Sequence, residues 1–399
     1  MGERRYKVLA LASHPVQYMA PNFRRLAKRE EIDLQVAYCS LDGAEPARDP
    51  DFQIDVQWDV PLLDGYDWAL VSSADRRPRK LPSAFNLDLW RIVRKGTFDA
   101  VLCFTGYRNL TFWTAWLAAR ASNAAFLFGT DARSLIPRDG SRWKTYFKKL
   151  FWPYLFSLAD QVIAPSSDSR DLMYSLGISK QRVTLIPYSV DNDWWIERSK
   201  SVDTRAVRAK WGASESDVVI LFCAKLQSWK RPLDLLRAFP QVSKSAVLVY
   251  AGEGPLRSEL EAEATLLGVG DRVRFLGFVN QSGLPEVYTS SDLMVLPSEY
   301  EPFAVVVNEA MCCGCPVASS DHVGAARDLI APVCPEFVFP CGDVERLAAI
   351  LAKAVQDRSK LTTLGHAYRS RILSWSPQQN IEATVEAIHA AASRKVTKA

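Results

Sequence analysis

Short apolar runs alternate along the chain with longer stretches in which apolar residues recur at every third or fourth position. The short runs predict buried strands of a parallel sheet, and the longer stretches predict amphipathic helices that connect them. In the first half of the chain the predicted strands are 7–12, 33–37, 100–103, 125–128, 161–164 and 182–186. The predicted helices in that half include 20–28, 110–121 and 169–176.

A second series of the same kind begins near residue 217. Its predicted strands are 218–223, 246–251, 273–276, 293–296 and 316–319. Its predicted helices are 231–239, 255–267, 283–290 and 306–312. Two such series predict two Rossmann-like α/β domains in tandem, which we place at 1–188 and 189–375. The last stretch, 376–399, is expected to form a helix that packs back toward the first domain.

Composition narrows the class of protein further. A net charge of +4 over 399 residues gives no basic footprint, so a dedicated nucleic-acid-binding protein is excluded. No window approaches the roughly 18 uncharged apolar residues of a membrane-spanning helix, and the apolar run near the N-terminus is too short for a signal peptide. Eight cysteines are too few for a disulfide scaffold. We therefore expect a cytoplasmic globular protein.

Two glutamates eight residues apart stand out in the segment 296–317. Glu301 precedes Pro302, and a residue before proline avoids the α conformation, so Glu301 should lie in the loop after a strand. The residues that follow should open a helix that carries Glu309. Backbone N–H groups at a helix start favour a phosphate, and carboxylates accept hydrogen bonds from sugar hydroxyls. From spacing alone, two solvated glutamates on a surface helix are the alternative.

This segment resembles the glutamate–seven residues–glutamate motif of the retaining GT-B glycosyltransferases of family four. The chain departs from the usual motif at Ala304, where the family has glycine, and at Cys312, where it has alanine. The resemblance implies that Glu301 contacts the donor sugar and that Glu309 binds the ribose hydroxyls. It also implies backbone contacts to the sugar and the diphosphate from Phe303, Ala304 and Val305.

Two lysines five residues apart follow the predicted strand 218–223. The segment 221–232 resembles a loop of the same family in which two cations neutralise the donor diphosphate, and this role would fall on Lys225 and Lys230. The chemistry fits, because a departing nucleoside diphosphate gains negative charge that fixed cations stabilise. Taken by itself, the segment fits a solvated pair of loop lysines better.

Three weaker matches to the family occur in the expected order. The resemblance places a donor loop at Gly252, Glu253 and Gly254, and nucleobase-facing main chain at Phe278 and Val279. The segment 337–343 resembles the loop that follows the core of the second domain. Together with the two stronger matches, these make five ordered matches over residues 221–343.

The first half of the chain carries weaker candidates. Where relatives have a glycine-rich loop after the first strand, this chain has His14, Gln17 and Tyr18, which we expect to contact the acceptor. For His14, the alternative to a contact with the acceptor is a purely structural role. Asp131 follows the fourth strand, where the family places a residue near the anomeric centre, and it could equally cap the next helix. His14 and Asp131 join Glu301 as the candidate catalytic residues.

The stretch 142–154 mixes cations with aromatic residues at helical spacing. Such a helix can lie on an anionic membrane surface, and its alternative is an amphipathic helix whose aromatic face packs in the first-domain core. The residues concerned are Lys144, Lys148 and Lys149, with Trp143, Tyr146, Phe147 and Leu150.

A metal site is not expected. The cluster Cys312, Cys313 and Cys315 overlays a run of small residues in the family and has no further ligands at convincing spacing. The Asp-x-Asp sequences at 49–51 and 191–193 are interpreted as a loop and a hinge.

The fold expected from the resemblance is GT-B, with two Rossmann-like domains that face each other across a cleft. The implied reaction moves a sugar, with its configuration retained, from a nucleoside-diphosphate sugar to an acceptor hydroxyl in bacterial glycan, glycolipid or natural-product biosynthesis. A UDP-sugar is the favoured donor, and neither a metal nor another cofactor is expected. The alternatives are a GT-B sugar-nucleotide epimerase or hydrolase, and a catalytically silent nucleotide-sugar-binding subunit.

Overall fold

The computed structural model describes residues 5–49, 54–71 and 87–396. The strands of these residues, β1 to β15 in chain order, are Tyr6–Ala12, Ile32–Tyr38, Ala47–Asp49, Ile54–Val56, Asp67–Leu70, Ala100–Cys103, Ala125–Gly129, Gln161–Ala164, Val183–Leu185, Val218–Cys223, Ala246–Ala251, Val273–Gly277, Leu293–Leu296, Val317–Ser320 and Val338–Phe339. The helices, α1 to α14, are Ala20–Leu26, Leu87–Gly96, Leu110–Ala121, Arg142–Ser157, Ser167–Ser175, Asn192–Lys200, Thr204–Lys210, Pro232–Ala238, Arg257–Leu266, Leu284–Thr289, Val305–Cys312, Val344–Gln356, Arg358–Leu373 and Pro377–Val396.

The chain divides into two compact units. Unit 1 comprises Met1–Ala47, Pro61–Tyr188 and Pro377–Ala399, and unit 2 comprises Arg48–Val60 and Ser189–Ser376. The prediction that put 48–60 in the first domain is wrong, because this segment bonds to the loop after β12. The Asn280 side-chain amide donates to the Gln57 carbonyl oxygen at 2.7 Å. The Ser282 N–H donates to the Asp59 carboxylate at 3.0 Å.

Unit 1 is built on a seven-stranded sheet in the order β5-β2-β1-β6-β7-β8-β9, and its paired strands are parallel. The strand order reverses between β1 and β6, so the loops that follow these two strands diverge and open a crevice at the carboxyl edge of the sheet, where the strands end. The six strands predicted in this half are confirmed. The edge strand β5 was missed, because its Trp68 and Leu70 are exposed and give no buried apolar run.

The last helix, α14, belongs to unit 1. Its Ile381, Val385 and Ile388 are buried in one apolar cluster with Phe23 and Leu26 of α1 and with residues of the central strands. Near the end of α14, the Arg394 guanidinium donates to the side-chain oxygen of Gln161 at 2.7 Å. Unit 1 is therefore completed by a segment that follows unit 2 in the sequence.

Unit 2 contains a six-stranded parallel sheet in the order β12-β11-β10-β13-β14-β15. Its strands β10, β11 and β13 have the predicted ends, because each is a continuous run of fully buried residues. The strand order reverses between β10 and β13. The loops after these two strands carry the two lysines and the first glutamate that the sequence singled out.

Candidate functional site

An ion pair joins the two loops at the point where the strand order of unit 2 reverses. The Lys230 ammonium, after β10, contacts the Glu301 carboxylate, after β13. Their side chains are only 18% and 16% exposed, so the interpretation of either one as a solvated surface charge is wrong. The Gly324 N–H holds the backbone of the second loop by donating to the Glu301 carbonyl oxygen at 3.0 Å.

The donor loop at 252–254 supports the loop that carries Lys225. At Gly252 (φ +148°) an added Cβ would lie 2.0 Å from the Ala224 carbonyl oxygen, a distance that only glycine allows. The N–H of Leu226 donates to the carbonyl oxygen of Glu253 at 2.9 Å. The two sequence matches are therefore parts of one structure, in which the close approach of the glycine loop positions the backbone on both sides of Lys225.

The residue before α11 has a backbone conformation that glycine normally supplies. Ala304 has φ +82° and ψ 78°, in the left-handed region, and α11 starts directly after it at Val305. An alanine held there is strained by about 1 kcal/mol or more. The neighbouring Phe303 is buried, and its ring stacks on Trp375 at a centroid distance of 6.1 Å. The family's preference for glycine thus corresponds to a real backbone requirement that this chain meets with alanine.

Glu309 lies on α11 and is 3% exposed, so the interpretation of it as a solvated glutamate is wrong. The hydroxyl of Tyr288 donates to its carboxyl oxygen at 2.8 Å. Burial raises the pKa of Glu309 to about 8, and the hydrogen bond from Tyr288 opposes this only in part. The carboxyl is therefore mostly protonated at neutral pH and can both donate and accept hydrogen bonds.

The predicted nucleobase-facing residues, Phe278 and Val279, come directly after β12. The ring of Trp58 lies 6.1 Å from that of Phe278. Neither Trp58 nor Tyr288 was predicted from the sequence. Trp58 stands in the distant part of the chain assigned to the other domain, and Tyr288 occupies an ordinary helix position.

The candidates of unit 1 gather at the carboxyl edge of its sheet. His14, Tyr18 and Asp131 all line one cavity of about 640 Å³, whose lining residues all belong to unit 1. Gln17 is not among the lining residues. The alternative in which Asp131 caps the next helix is wrong, because that helix begins only at Arg142.

Polar contacts at the mouth of this cavity define its chemistry. The His14 Nδ1 atom is 2.9 Å from the Ser13 hydroxyl. Tyr18 packs edge-on against Tyr188, with ring centroids 5.7 Å apart. Burial, together with the negative charge of Asp131, raises the pKa of Tyr18 to about 12. Tyr18 therefore keeps its proton at neutral pH and is a hydrogen-bond donor at the mouth.

Helix α4 exposes most of its aromatic residues. Its buried side chains include Trp152, Leu155 and Phe156, all near its C-terminal end. The interpretation that packs the earlier aromatic residues into the core is wrong. Between 53% and 75% of each of the following residues is exposed: Trp143, Tyr146, Phe147, Leu150 and Tyr154.

The cysteine cluster has a packing role. Cys312, Cys313 and Cys315 are buried free thiols, as expected for small side chains that fill a turn. Within the described ranges, no three His, Cys, Asp or Glu side chains are gathered in a way that could hold a metal ion. No helix in that part of the chain has the length and apolar character needed to cross a membrane.

Comparison with known proteins defines the class. The chain resembles HepE of Anabaena, solved in complex with UDP and glucose, with a TM-score of 0.73 and 18% identity over 97% of this chain and 100% of that one. This likeness shows the GT-B fold. Family models for a glycosyl transferase 4-like domain and for glycosyl transferases group 1 match residues 13–189 and 203–371. The chain belongs to the group 1 glycosyl transferases.

Curated relatives match a smaller part of the chain. An uncharacterized glycosyltransferase of Methanocaldococcus jannaschii is 35% identical over 43% of this chain and 44% of its own length. A D-inositol 3-phosphate glycosyltransferase of Geodermatophilus obscurus is 30% identical over 59% of this chain and 53% of its own length. The matched region thus spans about half the length of these relatives.

Proposed function

We propose that this protein transfers a sugar from a nucleoside-diphosphate sugar, with a UDP-sugar favoured, to a hydroxyl acceptor, and that the anomeric configuration is retained. The donor binds to unit 2 and the acceptor to unit 1. The HepE complex with UDP and glucose and the relatives named as glycosyltransferases support this proposal.

The observation that carries the proposal is the ion pair between Lys230 and Glu301. It brings the residue proposed to bind the diphosphate against the residue proposed to contact the sugar. A nucleoside-diphosphate sugar has these two groups joined by one bond, so a cation and a carboxylate side by side match its polarity. Before the donor binds, Lys230 and Glu301 neutralise each other. When it binds, the phosphate replaces Glu301 as the partner of Lys230, and the sugar hydroxyls replace Lys230 as the partners of Glu301.

The chemistry follows from the charge that develops during transfer. As the glycosidic bond breaks, the diphosphate gains negative charge, which Lys225 and Lys230 stabilise, while the sugar ring gains positive charge beside Glu301. The leaving phosphate can take the proton of the attacking hydroxyl on the same face of the sugar, which retains the configuration without a dedicated base. The lysines supply the charge that a metal ion provides in other transferases.

Glu301→Gln is the central test. The variant keeps the size of the side chain and loses its charge, so kcat should fall roughly 10²–10³-fold, as for the loss of one preorganised electrostatic group. UDP should bind at least as tightly as before, because it has no sugar and Lys230 loses its counter-charge. Glu299→Gln, an exposed position in the same loop, is the matched control and should change neither quantity.

Other outcomes separate the alternatives. Full turnover by Glu301→Gln with every accepted donor would remove Glu301 from the site. Consumption of the donor without an acceptor would favour an epimerase or hydrolase. Binding of nucleotides without any turnover would favour a silent subunit.

We also propose that helix α4 contacts an anionic membrane surface. The exposed aromatic residues and the lysines on this helix support the proposal, because such rings insert between lipid headgroups and the cations are attracted to anionic headgroups.

In sedimentation with vesicles, binding to phosphatidylglycerol should exceed binding to phosphatidylcholine and should weaken as salt screens the charges. Replacing Trp143 and Phe147 together by Ser should abolish it. Leu266→Ser, at an 83% exposed position in unit 2, is the control. Equal binding by parent and double variant would refute this contact.

A further inference from the structure

The cavity of unit 1 changes character with depth. Its mouth, at the carboxyl edge of the sheet, presents the polar side chains of His14 and Asp131, which solvent reaches. Its floor extends between the sheet and the helices α1 and α14. Most of the floor is apolar and belongs to the buried cluster on that face of the sheet: Phe23, Leu26, Leu102, Ile163, Ile186 and Ile381. Thr384 also lines the floor from α14, and its hydroxyl donates to the Asn380 carbonyl oxygen at 2.8 Å.

We propose that the acceptor is an amphiphile, with a hydroxyl-bearing head at the mouth of the cavity and an apolar chain or ring system on its floor. This inference rests on the proposed function for the assignment of the mouth to the acceptor hydroxyl. The volume of about 640 Å³ is in the range that encloses most of a small ligand.

The floor selects against a wholly polar acceptor. A sugar or inositol hydroxyl buried between Leu26, Ile163 and Ile381 would lose its hydrogen bonds to water and find few replacements there, at an appreciable free-energy cost. An alkyl group gains from the same burial, with affinity rising about fourfold for each methylene removed from water. The polar mouth can then orient the hydroxyl without contributing most of the binding energy.

Two alkyl glycosides that share a head and differ in the chain provide the test. Octyl β-glucoside, kept below its micelle concentration, and methyl β-glucoside are titrated into the full-length protein by calorimetry. If at least four of the extra methylenes reach the floor, the octyl compound should bind more than a hundredfold more tightly.

A cavity-filling variant locates the binding. Thr384 is 6% exposed and lines the cavity from α14, so Thr384→Phe should fill the floor and lower the affinity for octyl β-glucoside at least tenfold. Glu382→Phe adds the same ring on the exposed face of that helix and should leave the affinity unchanged. If Thr384→Phe does not fold, Asn22→Phe fills the cavity from α1 and serves the same purpose.

Glycoside binding tests the amphiphile inference, and UDP binding tests the proposed function separately. Equal affinities for the octyl and methyl compounds, or an octyl affinity that neither filling variant lowers, would overturn the amphiphile inference. UDP binding reports on unit 2 and should be unchanged in these variants. Absence of UDP binding in the parent would count against the proposed function, while the preference for the octyl compound would still test the cavity.

Discussion

Replacing Glu309 by Gln should change how the stability of the protein depends on pH. Burial raises the pKa of this carboxyl from 4.5 to about 8. Between these values the unfolded chain has released a proton that the folded protein keeps, so Glu309 lowers the free energy of unfolding as pH rises. Its contribution is most favourable below pH 4.5 and is lost progressively up to about pH 8.

The size of this change in the free energy of unfolding depends mainly on the pH range over which it is measured. One proton taken up on folding changes the free energy of unfolding by roughly 1–2 kcal/mol for each pH unit, or roughly 3 kcal/mol between about pH 5.5 and 7.5. The amide that Glu309→Gln introduces does not titrate, and its oxygen can still accept the hydrogen bond from Tyr288. The variant should therefore gain stability relative to the parent as pH rises.

Urea unfolding of parent and variant at three pH values measures this difference directly. Glu286→Gln replaces an exposed carboxyl on the neighbouring helix α10 and should follow the parent at each pH. A difference between Glu309→Gln and the parent that is constant from about pH 5.5 to 7.5 would show that Glu309 is ionised in the folded protein. Burial would then not raise the pKa of Glu309 above neutral pH.

Three further predictions follow from the geometry of unit 2. Lys225→Ala or Lys230→Ala should weaken UDP binding about ten- to a hundredfold and leave uridine binding unchanged; equal UDP binding by variant and parent would exclude the lysine concerned. Sugar transfer should survive EDTA, whereas a complete loss that added metal restores would contradict charge stabilisation by lysines alone. Ala304→Gly should raise the free energy of unfolding by up to about 1 kcal/mol, because glycine adopts the left-handed conformation without strain. Ala310→Gly, inside α11, is the control and should lower the free energy of unfolding by a similar amount. A lower free energy of unfolding in Ala304→Gly would show that Ala304 is not strained.

The residues at strand ends could be predicted from the sequence because parallel strands all end at one edge of a sheet. Lys230 and Glu301 follow β10 and β13, so the order of the strands alone brings them near each other. Their direct ion pair depends on side-chain conformations and could not be foreseen. The burial of Glu309 was foreseeable in part, since six of the eight residues of α11 are apolar and are spread around the helix, as in buried helices.

Contacts between distant parts of the chain account for what the sequence did not predict. Trp58 reaches the loop after β12 only because 48–60 packs with unit 2, and no local pattern encodes that partner. The exposed face of α4 was ambiguous for a different reason. Aromatic residues occur on both sides of this helix, so the spacing of apolar residues does not show which side packs against the core.

The return of α14 to unit 1 has a consequence for synthesis of the protein on the ribosome. The N-terminal part of the chain emerges first, yet one face of its sheet lacks Ile381, Val385 and Ile388 until the C-terminal residues have been made. During the whole translation of unit 2, that face remains an uncovered apolar surface of the nascent chain. Early ribosomal release before Pro377 would leave it uncovered permanently, so truncated products should be targets for chaperones and proteases even when unit 2 is complete.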